Sequence, residues 1–289
     1  MDSRPLCRFC LGSLVVRWCR RWNISSVKQR WLCKRCGRTF TPDDGFLWRH
    51  HKPEVIVEAL SLHIRGLSQL EASDHLCQNH AVKLNWGTIC RWIMDYSGML
   101  SRFIAHLRPR LKGSIHVDEV VVKVTGRKAY RWGAIDRVTK YKISGPLTWK
   151  RSYLWGAKPL YQQLRDNCDG LPSRIVSDKL GHYKRAFSKY FRRTGVRLIH
   201  GVPIACRRYG LKHNNNPAER DNGRVKTRIK TMRSFKDKRC CKRFLDLLDI
   251  HHNYIKPSLS LEGAYPAEKA GVKLPLGRNR LTSLIHLSA

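Results

Sequence analysis

Four cysteines near the start of the chain have the residue type and spacing of a metal site. Cys7 and Cys10 form one C-x-x-C pair, and Cys33 and Cys36 form a second. Each pair can occupy a tight turn with both thiolates directed at one point, and two such turns give a tetrahedral Zn²⁺ site with four sulfur ligands. Chance pairing or a redox-active pair are the alternatives, and two pairs at this spacing favour zinc.

Two isolated aspartates are the next residues that can carry chemistry. Asp118 lies in a β-branched run, where its neighbours Val117 and Glu119 are expected to point to the opposite face of a strand. Asp178 follows a short apolar run and is the only acid between residues 170 and 218. A carboxylate in such surroundings costs free energy unless it is paired or binds a cation. Both aspartates are therefore candidate metal ligands, and ion pairs with nearby arginines are the alternative.

A third acid, Glu219, precedes a basic run. One interpretation is a capping box, with Asn216 as the N-cap, Pro217 at the first helical position and Glu219 at the third. The other is functional, because Glu219 and Lys226 are seven residues apart and share one face of a helix. That face can bind a metal ion and a DNA backbone together, so local reasoning leaves both interpretations open.

Composition points to nucleic acid as the partner. The 289 residues include 57 Lys+Arg and 21 Asp+Glu, a formal charge of +36, and 42% hydrophobic residues, which is enough for a folded core. A charge this high favours a polyanion over a membrane surface. No apolar run approaches the roughly 20 residues that span a bilayer, and no signal peptide is evident. We therefore expect no membrane partner, a cytoplasmic location and reduced cysteines.

The cysteines need strands and turns to position them. Gly37 follows the second pair and suits a turn that requires positive φ. The residues between the pairs include side chains that favour strands: Val15, Val16, Trp18, Ile24, Val27 and Trp31. This is the pattern of a zinc ribbon over residues 1–45, held together by its metal. Its arginines and lysines suit DNA phosphates.

Residues 53–111, within a region taken as 46–112, are predicted to be helical. Pro53 can begin a first helix, Ser68 can cap a second through a capping box with Glu71, and Thr88 can cap a third that continues to about Leu100. This order is typical of a helix-turn-helix, in which Thr88 and Arg91 would face the bases of the major groove. An ordinary helical hairpin that links two domains is the alternative.

From Gly113 the pattern changes to strands alternating with helices. Strands are predicted at 115–124, 129–138, 141–147, 173–177 and 196–199, and helices at 156–167, at 183–191 and from Pro217. Three strands followed by alternating helices and strands predict an α/β fold with a mixed sheet. Most of the nine tryptophans belong in such a core, although Trp48, Trp149 and Trp155 are candidates for stacking on a base.

The order of these motifs resembles that of insertion-sequence DDE transposases, whose catalytic core is retroviral-integrase-like and of the RNase H type. The resemblance is carried by Val-Asp-Glu at 117–119, Val-Ser-Asp at 176–178, Asn-Pro-Ala-Glu-Arg-Asp-Asn-Gly-Arg-Val-Lys at 216–226 and the tail after residue 252. It implies that Asp118, Asp178 and Glu219 are the catalytic triad. The gap from Asp178 to Glu219 is long, 219 − 178 = 41 positions, which suggests an extended loop around residues 200–215 and leaves Asp221 as the fallback.

The resemblance also implies a mechanism and partners. The triad would hold Mg²⁺ (or Mn²⁺), Lys226 would bind DNA near the scissile phosphate, and structural Zn²⁺ would occupy the ribbon. Implied activities are binding to terminal inverted repeats, strand cleavage and transfer into target DNA, by a homodimer associated with the nucleoid. The implied domains are the ribbon (1–45), the helix-turn-helix region (46–112), the catalytic core (113–235) and a helical tail (236–289). A catalytically inactive DNA-binding regulator and an RNase H-fold nuclease are the alternatives.

Overall fold

The computed structural model describes residues 4–22, 27–202, 215–230, 232 and 234–289. Ile24 and most of the loop predicted around residues 200–215 lie outside these ranges. The chain forms two compact units, Met1–Trp92 with Gly277–Ala289, and Ile93–Leu276. Within the described residues, no helix combines the length and the apolar character needed to cross a bilayer.

The first unit begins with a small antiparallel sheet that supports the cysteines. Its three strands are β1 (Val15–Trp22), β2 (Val27–Cys33) and β3 (Thr39–Phe40), in the order β1-β2-β3. Val15 and Phe40 pack with the buried Cys7 and Cys33 in a small core. Gly37 has a φ of +69°, as the turn after the second cysteine pair requires. The predicted ribbon architecture is therefore confirmed.

Helices complete the first unit. They are α1 (Pro53–Arg65), α2 (Gln69–His80), α3 (Trp86–Ala105), which continues into the second unit, and the chain's last helix, Arg280–Ser288, which contacts α1. Pro53 begins α1, and the Ser68–Glu71 capping box is present. The predicted cap at Thr88 is wrong, because α3 begins at Trp86. The side chain of Asn85 accepts a hydrogen bond from the Gly87 N–H (2.7 Å), which satisfies one free donor of the first turn.

The second unit is built on a five-stranded mixed sheet in the order β6-β5-β4-β7-β8. Its strands are β4 (Ser114–Val124), β5 (Arg127–Asp136), β6 (Lys142–Thr148), β7 (Arg174–Ser177) and β8 (Arg197–His200). The first three form an antiparallel meander, whereas β7 is parallel to β4 and β8 is parallel to β7. This topology confirms the predicted RNase H-like α/β class.

Helices surround this sheet. They are α4 (Lys158–Asp166), α5 (Gly181–Tyr190), α6 (Asn216–Lys230), α7 (Lys238–Ile250) and the short α8 (Pro266–Lys269). A π-helical turn at Tyr153–Ala157 precedes α4, and another at His251–Ile255 follows α7. The last helix of the first unit, Arg280–Ser288, is α9. The core between sheet and helices is aliphatic: Val120, Val122 and Val124 of β4 pack with Val225 and Ile229 of α6 and with Leu245 of α7. Alternation along β4 thus supplies the apolar face on which α6 lies.

One close approach inside this unit fixes a segment beside the sheet. Gly156, in the π-helical turn, lies directly against the ring of the fully buried Trp132 of β5. A Cβ atom at residue 156 would lie 2.1 Å from that ring. The Trp132 indole N–H also donates to the Thr148 hydroxyl (2.9 Å), so the tryptophan has little freedom to move away.

We therefore expect Gly156→Ala to lower the free energy of unfolding by about 1–3 kcal/mol, the usual cost of overpacking a core. Gly223→Ala is the matched control. Gly223 is exposed in the middle of α6 with open space around it, so alanine there should stabilise the protein by about 0.5–1 kcal/mol. Urea unfolding of both variants measures the effect. Equal stability of Gly156→Ala and the unchanged protein would contradict this packing.

Candidate active site

The pairing of β4 with β7 brings the two predicted aspartates together. The parallel register joins Ser114 to Arg174 and His116 to Val176, an offset of 60 residues. Continuing that register by two residues places Asp178 level with Asp118. Asp178 follows the last residue of β7, where the chain leaves the sheet, and its side chain accepts a hydrogen bond from the Leu180 N–H (3.0 Å).

A third carboxylate, Glu119, joins this pair. One carboxylate oxygen from each of Asp118, Glu119 and Asp178 lies within 4.8 Å of the other two. Within the described residues, this is the one group of three or more carboxylates that lie so close together. The expected alternation holds along β4, because Asp118 contacts Asn222 of α6 whereas Glu119 contacts Tyr183 of α5. The two carboxylates nevertheless meet at their oxygen atoms. The paired register of β4 with β7 extends only to His116, so beyond it the longer glutamate side chain can reach the space beside Asp178.

Two partners hold Glu119 in this position. The hydroxyl of the buried Tyr183 of α5 donates to Glu119 Oε2 (2.6 Å), and Arg151 Nε donates to Oε1 (2.8 Å). Only 3% of the Glu119 side chain is exposed, whereas half of the Arg151 side chain is. The adjacent acids in Val-Asp-Glu were the one sequence signal for this residue, and nothing in the sequence indicated its partner Tyr183.

The carboxylates repel one another in partly buried surroundings. Burial raises the pKa of Asp118 to about 7, the negative charges of Glu119, Asp178 and Glu219 add to that rise, and the backbone N–H of Glu119 opposes it. Burial also raises the pKa of Glu119, against the opposing effects of Tyr183 and Arg151. Closely spaced oxygen ligands of this kind suit hard divalent cations such as Mg²⁺.

Side chains before and after Glu219 attach α6 to β4. Asn215, just before α6, contacts His116 Nδ1 through its side-chain oxygen (3.3 Å) and donates to the Val117 carbonyl (3.3 Å). Asn222 donates to Asp118 Oδ2 (2.8 Å). The fallback residue Asp221 instead forms a buried ion pair with Lys142 of β6.

Glu219 lies near Asp118 but does not belong to the group of Asp118, Glu119 and Asp178, whose carboxylate oxygens lie within 4.8 Å of one another. Its charge contributes to the raised pKa of Asp118, so it acts on the same site. Burial raises the pKa of Glu219, and the charge of Lys226 lowers it. The electrostatic link between Glu219 and Lys226 agrees with their predicted position on one helical face.

The four predicted cysteines also come together. One sulfur atom from each lies within 4.8 Å of the others, and the Sγ atoms of Cys7 and Cys36 are 3.7 Å apart, those of Cys10 and Cys33 3.6 Å. A tetrahedron with Zn–S bonds of about 2.3 Å has edges of about 3.8 Å. The sulfur separations therefore fit a structural zinc site.

Thr88 and Arg91 lie together in the first turns of α3. The Arg91 guanidinium donates to the Thr88 hydroxyl (3.1 Å), and the Arg91 side chain is exposed. The two residues thus lie on one face of α3. Their contact with bases stays a prediction.

A mixed sheet that brings acids within β4 next to the acid that follows β7 fits the DDE class of nucleic-acid-modifying enzymes, and comparison with known proteins assigns the family. A model of the DDE domain matches residues 112–257. The transposase for the insertion sequence-like element IS431mec of Staphylococcus aureus (strain Mu50) is 19% identical over 233 residues, which cover 79% of this chain and 98% of that protein. The transposase for insertion sequence element IS257 in transposon Tn4003, also from Staphylococcus aureus, matches with the same figures.

The chain belongs to the DDE transposases of insertion sequences. Among solved structures, the HTLV-2 integrase catalytic core domain in complex with magnesium (trimeric form) is 11% identical and covers 56% of this chain and 97% of its own, with a TM-score of 0.40. The intasome of simian T-cell lymphotropic virus is also 11% identical, covers 76% of this chain and 77% of its own, and has a TM-score of 0.41. The family assignment rests on the sequence matches.

The raised pKa of Asp118 predicts a pH-dependent stability. The folded protein holds this proton with a pKa of about 7, against about 3.9 for an unfolded aspartate. The favourable contribution of this proton to the free energy of unfolding is therefore complete below about pH 4, and it is lost as the pH rises through 7. Asparagine at residue 118 cannot ionise, so Asp118→Asn removes this loss. Without Mg²⁺ or Mn²⁺, the variant should therefore be more stable than the unchanged protein at pH 8, by an amount on the order of 2–4 kcal/mol.

Urea unfolding of the zinc-loaded protein at pH 5 and pH 8 measures this difference. Asp169→Asn, which changes an exposed ion pair with Arg108, is the control and should follow the unchanged protein at both pH values. Equal losses of stability in Asp118→Asn and the unchanged protein between the two pH values would contradict the raised pKa.

Proposed function

We propose that the chain is an active transposase that binds the terminal inverted repeats of an insertion sequence, cleaves DNA strands and joins them to target DNA. The observation that carries the proposal is that the carboxylates of Asp118 on β4 and Asp178 after β7 lie close together. Glu219 lies on α6, the helix whose Asn222 side chain donates a hydrogen bond to Asp118. Asp118, Asp178 and Glu219 are the proposed catalytic triad.

The triad is proposed to hold Mg²⁺ (or Mn²⁺). The donors are carboxylate oxygens, which suit hard divalent cations, and burial together with the neighbouring negative charges raises the pKa of Asp118 to about 7. When bound, the cations would supply Lewis-acid activation of the attacking hydroxyl and stabilisation of the leaving oxygen. Glu119 stays engaged with Tyr183 and Arg151 and adds to the negative potential that attracts the cations.

The protein's own cations are proposed to hold the DNA. Lys226 is exposed on α6, and its charge acts on Glu219, so a phosphate bound there would lie near the triad. Thr88 and Arg91 are proposed to contact bases in the major groove. A ribbon that carries Zn²⁺ on Cys7, Cys10, Cys33 and Cys36 would present its basic side chains to the terminal repeats.

Partners and assembly follow from the reaction. Joining the two ends of one element requires both ends to be held together, so a homodimer on double-stranded DNA is proposed. Association with nucleoid DNA in the cytoplasm accords with the formal charge of +36. The predicted ribbon, helix-turn-helix, core and tail at 1–45, 46–112, 113–235 and 236–289 remain the proposed functional division.

Substitutions in the triad test the proposed chemistry. Asp118→Asn, Asp178→Asn and Glu219→Gln should each lower Mg²⁺-dependent strand transfer by about a hundredfold or more, because each removes an ionised ligand. Binding to terminal repeats, measured by mobility shift, should remain. Asp169→Asn is the exposed carboxylate control and should retain activity.

The same assay separates the alternatives. Cleavage without strand transfer in the unchanged protein would favour an RNase H-fold nuclease, and binding without cleavage would favour an inactive regulator. Full strand transfer by Asp118→Asn or Asp178→Asn would contradict the proposed site. Full activity of Glu219→Gln alone would leave the aspartates in place and remove the third assignment.

Metal analysis tests the ribbon. We expect about one Zn²⁺ per chain, and Cys33→Ser should lose it together with binding to terminal repeats, because a ribbon this small depends on its metal. Cys19→Ser is the matched control, since Cys19 lies exposed on β1 outside the four-cysteine group. Retention of zinc by Cys33→Ser, or loss of zinc by Cys19→Ser, would contradict the assignment.

A further inference from the structure

An exposed aromatic segment lies between β6 and α4 in the second unit. This aromatic segment, residues 149–155, has the sequence Trp-Lys-Arg-Ser-Tyr-Leu-Trp. Trp155 is 73% exposed, Leu154 57% and Trp149 38%. From residue 137 to residue 165 the chain contains no acid, so the surroundings of the segment in sequence are purely cationic and neutral. Large apolar side chains on such a surface indicate a binding site.

The aromatic segment is held in place by the core below it. Gly156, the residue after Trp155, lies against the ring of the buried Trp132, and Trp132 donates to Thr148, just before the segment. The Thr148 hydroxyl in turn contacts the Lys150 carbonyl (2.9 Å). The π-helical turn at Tyr153–Ala157 is a kind of structure that is frequent at functional sites. Trp155 is thus presented outward from a fixed base.

Direct contacts connect the aromatic segment to the carboxylates. Arg151 belongs to the segment and donates to Glu119, whose carboxylate lies within 4.8 Å of those of Asp118 and Asp178. A second connection runs through the core. Tyr183 donates to Glu119 and packs edge-on against Trp132, with ring centroids 5.5 Å apart. The segment therefore borders the proposed active site.

Cations accompany the aromatic rings. The Arg127 guanidinium lies 5.3 Å from the Trp149 ring centroid, and the Lys238 ammonium lies 5.4 Å from it. Arg185 of α5 lies 4.3 Å from the Tyr153 centroid. Proteins that bind single strands combine a positive surface for phosphates with aromatic side chains on which bases stack. The aromatic segment has both components.

We propose that the aromatic segment binds unpaired nucleotides of the DNA end being processed, with Trp155 stacked on a base and Lys150 and Arg151 near the phosphates. The inference rests on the proposed function, because it places the DNA end at the adjoining carboxylates. The charge and the proximity to Glu119 favour a nucleic-acid strand over an apolar protein partner. A protein interface is one outcome that the test below distinguishes.

The experiment uses the full-length zinc-loaded protein with the Asp118→Asn substitution, so that no DNA is cut. The probe is a short duplex with a single-stranded overhang that carries 2-aminopurine, and a blunt duplex of the same sequence is the comparison. Trp155→Ala should weaken overhang binding by about tenfold, remove the quenching of 2-aminopurine and leave blunt-duplex affinity unchanged. Trp155→Phe should keep most of the quenching, because phenylalanine retains a stacking face.

Leu259→Ala is the control, because Leu259 is 98% exposed in the same unit and lies outside the aromatic segment. It should match the unchanged affinity for both probes. Unchanged overhang affinity and quenching in Trp155→Ala would overturn the inference. So would a change of oligomeric state in sedimentation without a change in overhang affinity, which would indicate a protein interface.

The two proposals fail in different ways. If strand transfer needs the triad but Trp155→Ala binds the overhang normally, the proposed function stands and the inference about the aromatic segment is wrong. If Trp155→Ala loses overhang binding but triad substitutions leave strand transfer intact, the aromatic segment binds single strands and the proposed catalytic site is wrong.

Discussion

Three carboxylate groups held within a few ångströms of one another are the constraint on which the second unit is built. The parallel pairing of β4 with β7 brings Asp178 level with Asp118, and the end of that pairing at His116 leaves room for Glu119. Nothing in the local preferences of these acids favours their meeting, because carboxylates that share a site repel one another. The aliphatic packing of β4 against α6 and α7 must supply the free energy that keeps them together.

The surrounding residues reduce this repulsion without cancelling it. Donors reach Asp118 from the Glu119 backbone and the Asn222 side chain, and Glu119 is held by Tyr183 and Arg151. Burial and the neighbouring negative charges still raise the pKa of Asp118 to about 7. Carboxylates that are incompletely compensated lower the stability of the fold, a common relation between a functional site and stability. The basic excess of the chain is thus arranged around acids that it only partly neutralises.

Much of this arrangement was predictable from the sequence, and the remainder has physical reasons. The strands and helices followed from apolar periodicity and turn residues, and the capping box at Ser68 followed from its spacing to Glu71. The start of α3 was mispredicted because Asn85 provides a hydrogen-bond acceptor that spacing rules did not weigh. Asp118 and Asp178 were found because acids are rare around them. The approach of Glu119 to Asp178 was not foreseen, because strand alternation gives the face of a residue and not the reach of a long side chain beyond the end of a paired register. Tyr183, Asn215 and Asn222 could not be identified, since their roles depend on contacts between distant parts of the chain.

The most direct test of the central claim, that Asp118 and Asp178 jointly hold the catalytic cation with Glu219, is anomalous diffraction from crystals of the protein soaked in Mn²⁺. We predict an anomalous peak between the carboxylates of Asp118 and Asp178, within coordination distance of both, with Glu219 turned toward the same site. The position should show no peak in Asp178→Asn crystals. A peak coordinated by Asp118 and Glu119 without Asp178, or Mn²⁺ bound only elsewhere in the second unit, would contradict the claim.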